Sequence, residues 1–226
     1  MHKKGTTFDV IALSGGIDST ALALDLMYSG ADIRGIFIDS GQRCAIRQMA
    51  AVQRLSIRYQ LPVDIADLPG TAKLYAASVP PPHVLFTEGP GIDLERPDTG
   101  PCWDSMKMVV EAGMFAATIG AHRLHYAVTK DDIDRVPNLV EGIKACERVI
   151  QLNTNNVNFS IEIPFISSSN DEVLKVMLSL DGDIFTWSCY WGGLDHCGEC
   201  SGCSTRRLRY SRAGVADETV YSMKYT

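Results

Sequence analysis

Short apolar runs alternate with longer amphipathic stretches along this chain. "FDVIAL" (8–13), "IRGIFID" (33–39) and "PVDIADL" (62–68) are compact runs rich in Val and Ile, the pattern of buried strands. "LHYAVT" (124–129) and "SIEIPF" (160–165) predict two more. Between them, residues 19–29, 43–60, 103–121, 137–150 and 170–179 predict helices. In the second of these, Ile46, Met49, Ala50, Leu55 and Ile57 carry the apolar period. Pro137 suits a helix start, Gly120 a helix end, and Ser169 with Glu172 a capping box. Residues 70–102 hold six prolines and predict a long irregular loop. The last forty residues predict little regular structure. Alternating βα units point to an α/β fold: a parallel sheet of about five strands with helices on both faces.

Composition leaves this picture standing. At 226 residues, 46% hydrophobic and 21% charged, the chain has enough apolar material for one such domain with a small appendage. A net charge of −6 argues against a general nucleic-acid binder, and direct contact with nucleic acid is not expected. No apolar stretch reaches the length needed to cross a bilayer, and "MHKKGTTFDVIAL" lacks a signal-peptide pattern, so the expectation is a soluble cytoplasmic protein.

Two motifs carry chemistry. The first strand runs into "ALSGGIDST" (12–20), which lacks the lysine of a Walker loop. Gly15 and Gly16 can bring backbone N–H groups close to an anion, Ser14 and Ser19 add hydroxyls, and the next helix presents its N-terminus. Asp18 beside a phosphate repels it unless a cation lies between, which points to Mg²⁺. A plainer reading makes Asp18 or Ser19 a helix N-cap. Asp39, ending the second strand, suits either a nucleotide contact or a cap.

The second motif lies in "TWSCYWGGLDHCGECSGCSTRRLR" (186–209). Four of the seven cysteines, Cys189, Cys197, Cys200 and Cys203, fall within fifteen residues, a metal-site spacing rather than a disulfide framework. Four thiolates close a structural Zn²⁺ site, and neighbouring glycines supply the bends. His196 is expected to be exposed, and Cys44, Cys102 and Cys146 to be small apolar residues. Trp187 either packs the metal loop or walls a base pocket. "RRLR" (206–209) and Arg212 read as a solvated or phosphate-touching tail.

The loop resembles that of the ATP pyrophosphatases. "LSGGIDST", "DSGQR" (39–43) and the cysteine tail together resemble the 7-cyano-7-deazaguanine synthases, the nitrile-forming enzymes of the queuosine pathway. The resemblance runs from about residue 8 to about 210. It implies a PP-loop fold (residues 1–186, including the 70–102 loop) with a zinc-binding tail (187–226), and a homodimer. It implies that ATP adenylates the carboxylate of 7-carboxy-7-deazaguanine, that pyrophosphate leaves, and that ammonia then gives an amide and a second ATP a nitrile. By resemblance, Asp18, Ser19, Lys130 and Asp131 are catalytic. Ser14, Gly15, Gly16, Asp18, Ser19, Asp39 and Gln42 would bind ATP and pyrophosphate with Mg²⁺. Cys102, Trp103, Asp132, Trp187 and Arg206 would line the substrate pocket.

The middle departs from the pattern. A "PGRN"-type motif is replaced by "GPCWDSMK" (100–107). "TKDDIDRVPNLVEG" (129–142) stands where "SGYPDCR" follows an Asp. Near the place of a usual lysine stands Asn170, with Lys175 a turn further on. Relatives in antiphage operons join a deazaguanine acid to a protein amine, so the acceptor is expected to be ammonia or the N-terminal amine of a partner protein. A tRNA-modifying PP-loop enzyme is the third reading.

Overall fold

A computed structural model describes residues 8–68, 101–136, 138–181 and 184–222, with the side chains of 101–105 excepted. Residues 70–100 of the predicted loop, Pro137 and the side chains of Cys102 and Trp103 lie outside the described residues, while residues 101 and 102, expected in that loop, open a helix. The order is β1 (Asp9–Leu13), α1 (Ile17–Tyr28), β2 (Ile33–Asp39), α2 (Ala45–Tyr59), β3 (Val63–Asp67) and α3 (Pro101–Thr118). It continues with β4 (Arg123–His125), α4 (Lys130–Arg135), α5 (Leu139–Thr154), β5 (Ser160–Glu162), α6 (Asn170–Leu180) and α7 (Ser201–Ala213).

All five strands are parallel, in the order β3-β2-β1-β4-β5. β1 is central and buried at all five positions, which is why "DVIAL" reads as a continuous run. Its side chains divide by parity. Ile11 and Leu13 join a cluster with Leu22 and Leu24 of α1, Val52 and Leu55 of α2, and Val173, Leu174 and Met177 of α6. Val10 and Ala12 join one with Val109, Ala112 and Ala116 of α3 and Ile143 and Ile150 of α5. Two helical layers therefore sandwich the sheet, as the βα alternation requires. The α6 capping box is present, with Ser169 Oγ accepting from Glu172 N and the Glu172 carboxylate accepting from Ser169 N.

Several elements differ from expectation. Ile46 and Ile57 face outward, and Ala51, Val52 and Leu55 form the buried stripe of α2. α5 starts at Leu139 behind an αL Asn138, two residues later than the proline suggested. A short helix, α4, occupies 130–135, a stretch with no buried residue and hence no apolar period. The tail contains the thirteen-residue α7, where little regular structure was expected.

Leu174 is fully buried between α6 and the sheet. Leu174→Ala is expected to cost about 2–5 kcal/mol in urea unfolding.

Candidate functional site

The strand order reverses between β1 and β4, so their carboxyl ends flank the crevice where open α/β sheets bind ligands. Ser14, Gly15 and Gly16 leave β1 at that crevice. Ser14 N–H donates to Ser19 Oγ (3.1 Å), the two hydroxyls lie 3.1 Å apart, and Gly16 N–H donates to Ser14 Oγ at 3.3 Å. Gly16, not Asp18 or Ser19, is the N-cap of α1, and no side chain caps that helix. Its first-turn N–H groups therefore point into the crevice, a ready anion seat. Gly15 takes φ +73°, and a Cβ there would lie 2.4 Å from Gln48 O. Only glycine fits both the conformation and the contact with α2.

A cleft of ≈ 210 Å³ opens over the loop. Ala12, Ser14, Gly16, Asp18 and Ser19 form one side. Met108, Tyr126–Val128, Asp132, Arg135, Val136 and Leu139 form the other. Among the described residues, this wall is mostly apolar and holds one ion pair, in which Arg135 Nη2 donates to Asp132 Oδ1 at 2.6 Å. Asp132 also closes a capping box with Thr129, whose hydroxyl reaches Asn170 Oδ1 at 2.9 Å. Asp131 accepts from Asn170 N (2.6 Å) and so caps α6, while Lys130 is exposed at the start of α4. Asp39 and Gln42 fold the turn after β2: Asp39 accepts from Gly41 N at 2.8 Å and Gln42 Oε1 from Ser40 N at 2.8 Å. Of the residues predicted for ATP, Ser14, Gly16, Asp18 and Ser19 line the cleft, whereas Asp39 and Gln42 lie at the neighbouring strand end.

In the tail, the sulfurs of Cys189, Cys197, Cys200 and Cys203 all lie within 4.8 Å of one another, and all four residues are buried. Cys197–Cys203 and Cys200–Cys203 are 3.8 and 3.5 Å apart. A tetrahedral Zn²⁺ with Zn–S of about 2.3 Å would set its sulfurs about 3.8 Å apart, so the donor set fits. Backbone N–H groups of Trp191 and Cys197 point at Cys189 Sγ, and those of Glu199 and Cys200 at Cys197 Sγ, all at 3.3–3.4 Å. Such donors stabilise thiolate. With protons alone, hydrogen bonds from the Cys200 and Cys203 thiols hold Cys189 low, and Cys200 is pushed up to about 11 chiefly by that bond to Cys189. A divalent cation would replace this shared arrangement with four thiolates.

His196 is 3% exposed, contrary to expectation. Its ring lies 4.1 Å from that of Trp187, and Nε2 accepts from Ser188 N at 3.1 Å. Burial, reinforced by the Arg206 cation, pushes its pKa down to about 4, so the ring is a neutral packing piece. Trp187 is buried away from the cleft. Its indole donates to Cys189 O (2.6 Å) and its backbone N–H to Gly15 O (2.8 Å), joining the cysteine cluster to the glycine loop. Arg206 is also interior, with Nη1 on Thr186 Oγ1 (2.7 Å) and Nε on Asp217 (3.2 Å). Neither residue lines the cleft.

Arg209 has the contact that the sequence left undefined. Its Nη2 donates to Asp18 Oδ1 at 2.6 Å and to Asn170 O at 2.5 Å, and its Nη1 reaches Asp18 Oδ2 at 3.3 Å. The available signal was spacing: Cys203, Arg206 and Tyr210 share one helical face, and Arg209 sits at its edge.

An all-parallel sheet with this glycine loop at its switch point, an open helix N-terminus and a four-cysteine tail defines a PP-loop α/β protein. The fold is similar to NMN synthetase from Francisella tularensis (TM-score 0.52, 13% identity, 93% of this chain and 79% of that one). Residues 9–214 match the family described as Queuosine biosynthesis protein QueC, and the chain belongs to that family. It is 26% identical to the 7-cyano-7-deazaguanine synthase of Methanocaldococcus jannaschii, over 94% of this chain and 98% of that one. It is 29% identical to the synthase of Methanothrix thermoacetophila, over 94% and 97%. Among the described residues, no helix is long and apolar enough to cross a membrane.

Purified protein is expected to carry one zinc per chain by elemental analysis, and Cys203→Ser is expected to lose it. Gly15→Ala is expected to lower stability by at least about 1–2 kcal/mol from backbone conformation alone, read by thermal melting.

Proposed function

We propose that this chain is an ATP-dependent carbon–nitrogen ligase. In this reading it adenylates the carboxylate of 7-carboxy-7-deazaguanine or a close relative, then passes the acyl group to a nitrogen nucleophile. The observation that carries it is the phosphate seat: the uncapped N-terminus of α1 behind Ser14–Gly16, opening on the cleft at the β1/β4 switch point.

The chemistry follows from the substrate. A carboxylate is a poor electrophile, so nitrogen does not attack it directly. One carboxylate oxygen attacks the α-phosphorus of ATP, the α–β bridge breaks, and pyrophosphate leaves into the loop. AMP is then the leaving group when nitrogen attacks the acyl carbon. The α1 N–H groups and the Ser14 and Ser19 hydroxyls bear the charge that gathers on the departing pyrophosphate. Mg²⁺, when bound at Asp18, would neutralise part of that charge. The apolar wall of Met108, Val128, Val136 and Leu139 suits a flat heteroaromatic ring, and Arg135 suits its carboxylate. The zinc knuckle is structural and adds no open coordination position.

Ammonia as acceptor leads to an amide and, with a second ATP, to a nitrile. A protein amine is the second reading. It is favoured by the altered middle of the chain, where "GPCWDSMK" (100–107) and "TKDDIDRVPNLVEG" (129–142) stand beside an intact glycine loop and cysteine tail.

The protein is to be incubated with ATP, Mg²⁺, the acid and ammonium, with products followed by mass spectrometry. AMP release that requires the acid is expected. Nitrile marks the ammonia route, and mass added to a partner protein marks the conjugating one. No AMP release with any deazaguanine acid overturns the proposal. Asp18→Asn is expected to lower turnover by about 100-fold while folding and zinc content stay unchanged.

A further inference from the structure

The tail helix reaches into the phosphate loop. α7 follows its N-cap Cys200, contains Cys203, and less than two turns later delivers Arg209 to Asp18. The Arg209 side chain is 7% exposed and that of Asp18 31%. Both guanidinium amino groups are engaged by Asp18, and one also by Asn170 O. Its Nε is buried and has no hydrogen-bond partner among the described residues. A guanidinium carries its charge at every pH the protein meets. The helix that holds it is tied down by the cysteine cluster and by a close backbone approach: a Cβ on Gly202 would lie 2.1 Å from Ser188 O.

From this geometry we infer that Arg209 is a positioning residue of the nucleotide site. It fixes the Asp18 carboxylate and supplies a permanent cation at the foot of the phosphate loop. Among the described residues, Asp18 is the one carboxylate lining the loop side of the cleft, and unneutralised it repels the phosphates that the N-terminus of α1 attracts. Arg209 cancels that repulsion before any metal ion arrives. The tail is therefore part of the nucleotide site as well as a structural appendage. This inference rests on the ATP-binding reading above and goes one step past it.

The test uses the full chain loaded with zinc and measures binding of ATP without Mg²⁺ by calorimetry, so that a metal role of Asp18 does not enter the result. Arg209→Gln is expected to weaken ATP at least 10-fold, and Arg209→Lys, which keeps the charge, by less than about 3-fold. Arg209→Met fills the same buried slot with an apolar chain and serves as the second neutral variant if the Gln protein does not fold. The decisive arm is Asp18→Asn in the Arg209→Gln or Arg209→Met background. Removing the carboxylate that Arg209 neutralises is expected to recover binding several-fold over the single variant, an effect that a purely structural arginine would not produce. A folded, zinc-loaded neutral variant that binds ATP within twofold of wild type overturns the inference. So does a double variant no tighter than the single one. Failure of the wild-type protein to bind ATP overturns the parent reading instead, so the two failures are distinguishable.

Discussion

Everything at this site follows from the position of β1. The strand is paired on both edges and covered on both faces, so its backbone has no route to water until the chain leaves the sheet at Ser14. The exit must be a sharp turn, because α2 presses against it through Gln48 O. The turn delivers the chain into α1 without a capping side chain. Several backbone donors are thus left facing a crevice at the point where the strand order reverses. An anion is the natural occupant of such a place, and the serine hydroxyls are already held toward it by one another.

A second set of constraints ties the tail to this exit. Trp187 donates its backbone N–H to Gly15 O and its indole N–H to Cys189 O, so one residue touches both the loop and the cysteine cluster. Arg206 and Asp217, each at most 10% exposed at the side chain, form a pair inside the tail. Breaking such a buried pair costs about 3–5 kcal/mol, because the remaining charge stays out of water. Charge, not apolar area, fixes the seat of α7.

That explains which parts were legible in the sequence. The strands could be read because burial on both faces of a parallel sheet demands unbroken apolar runs. The glycine loop and the cysteines could be read because their chemistry needs fixed spacings. α7 could not, because its buried face is Cys203, Arg206, Arg209 and Tyr210 and shows no apolar period. α4 buries nothing. His196 looked like a surface residue because a buried histidine is recognisable only by its partners, here Trp187 and Ser188. Of the two readings of Trp187 the packing one fits its place, and the polar groups of Trp187 and Arg206 are both satisfied by the tail rather than turned to the cleft. Asp131 and Asp132 kept their place in the chain while their carboxylates were taken up by helix caps.

The Arg209–Asp18 contact joins residues 191 positions apart. Contacts of such separation carry a high loop-closure cost and form late. During synthesis α1 and its glycine loop leave the ribosome long before α7 does. A nascent chain that has not yet made α7 therefore displays a glycine loop whose aspartate lacks its Arg209 partner, and the arrival of α7 is what joins the two ends of the domain.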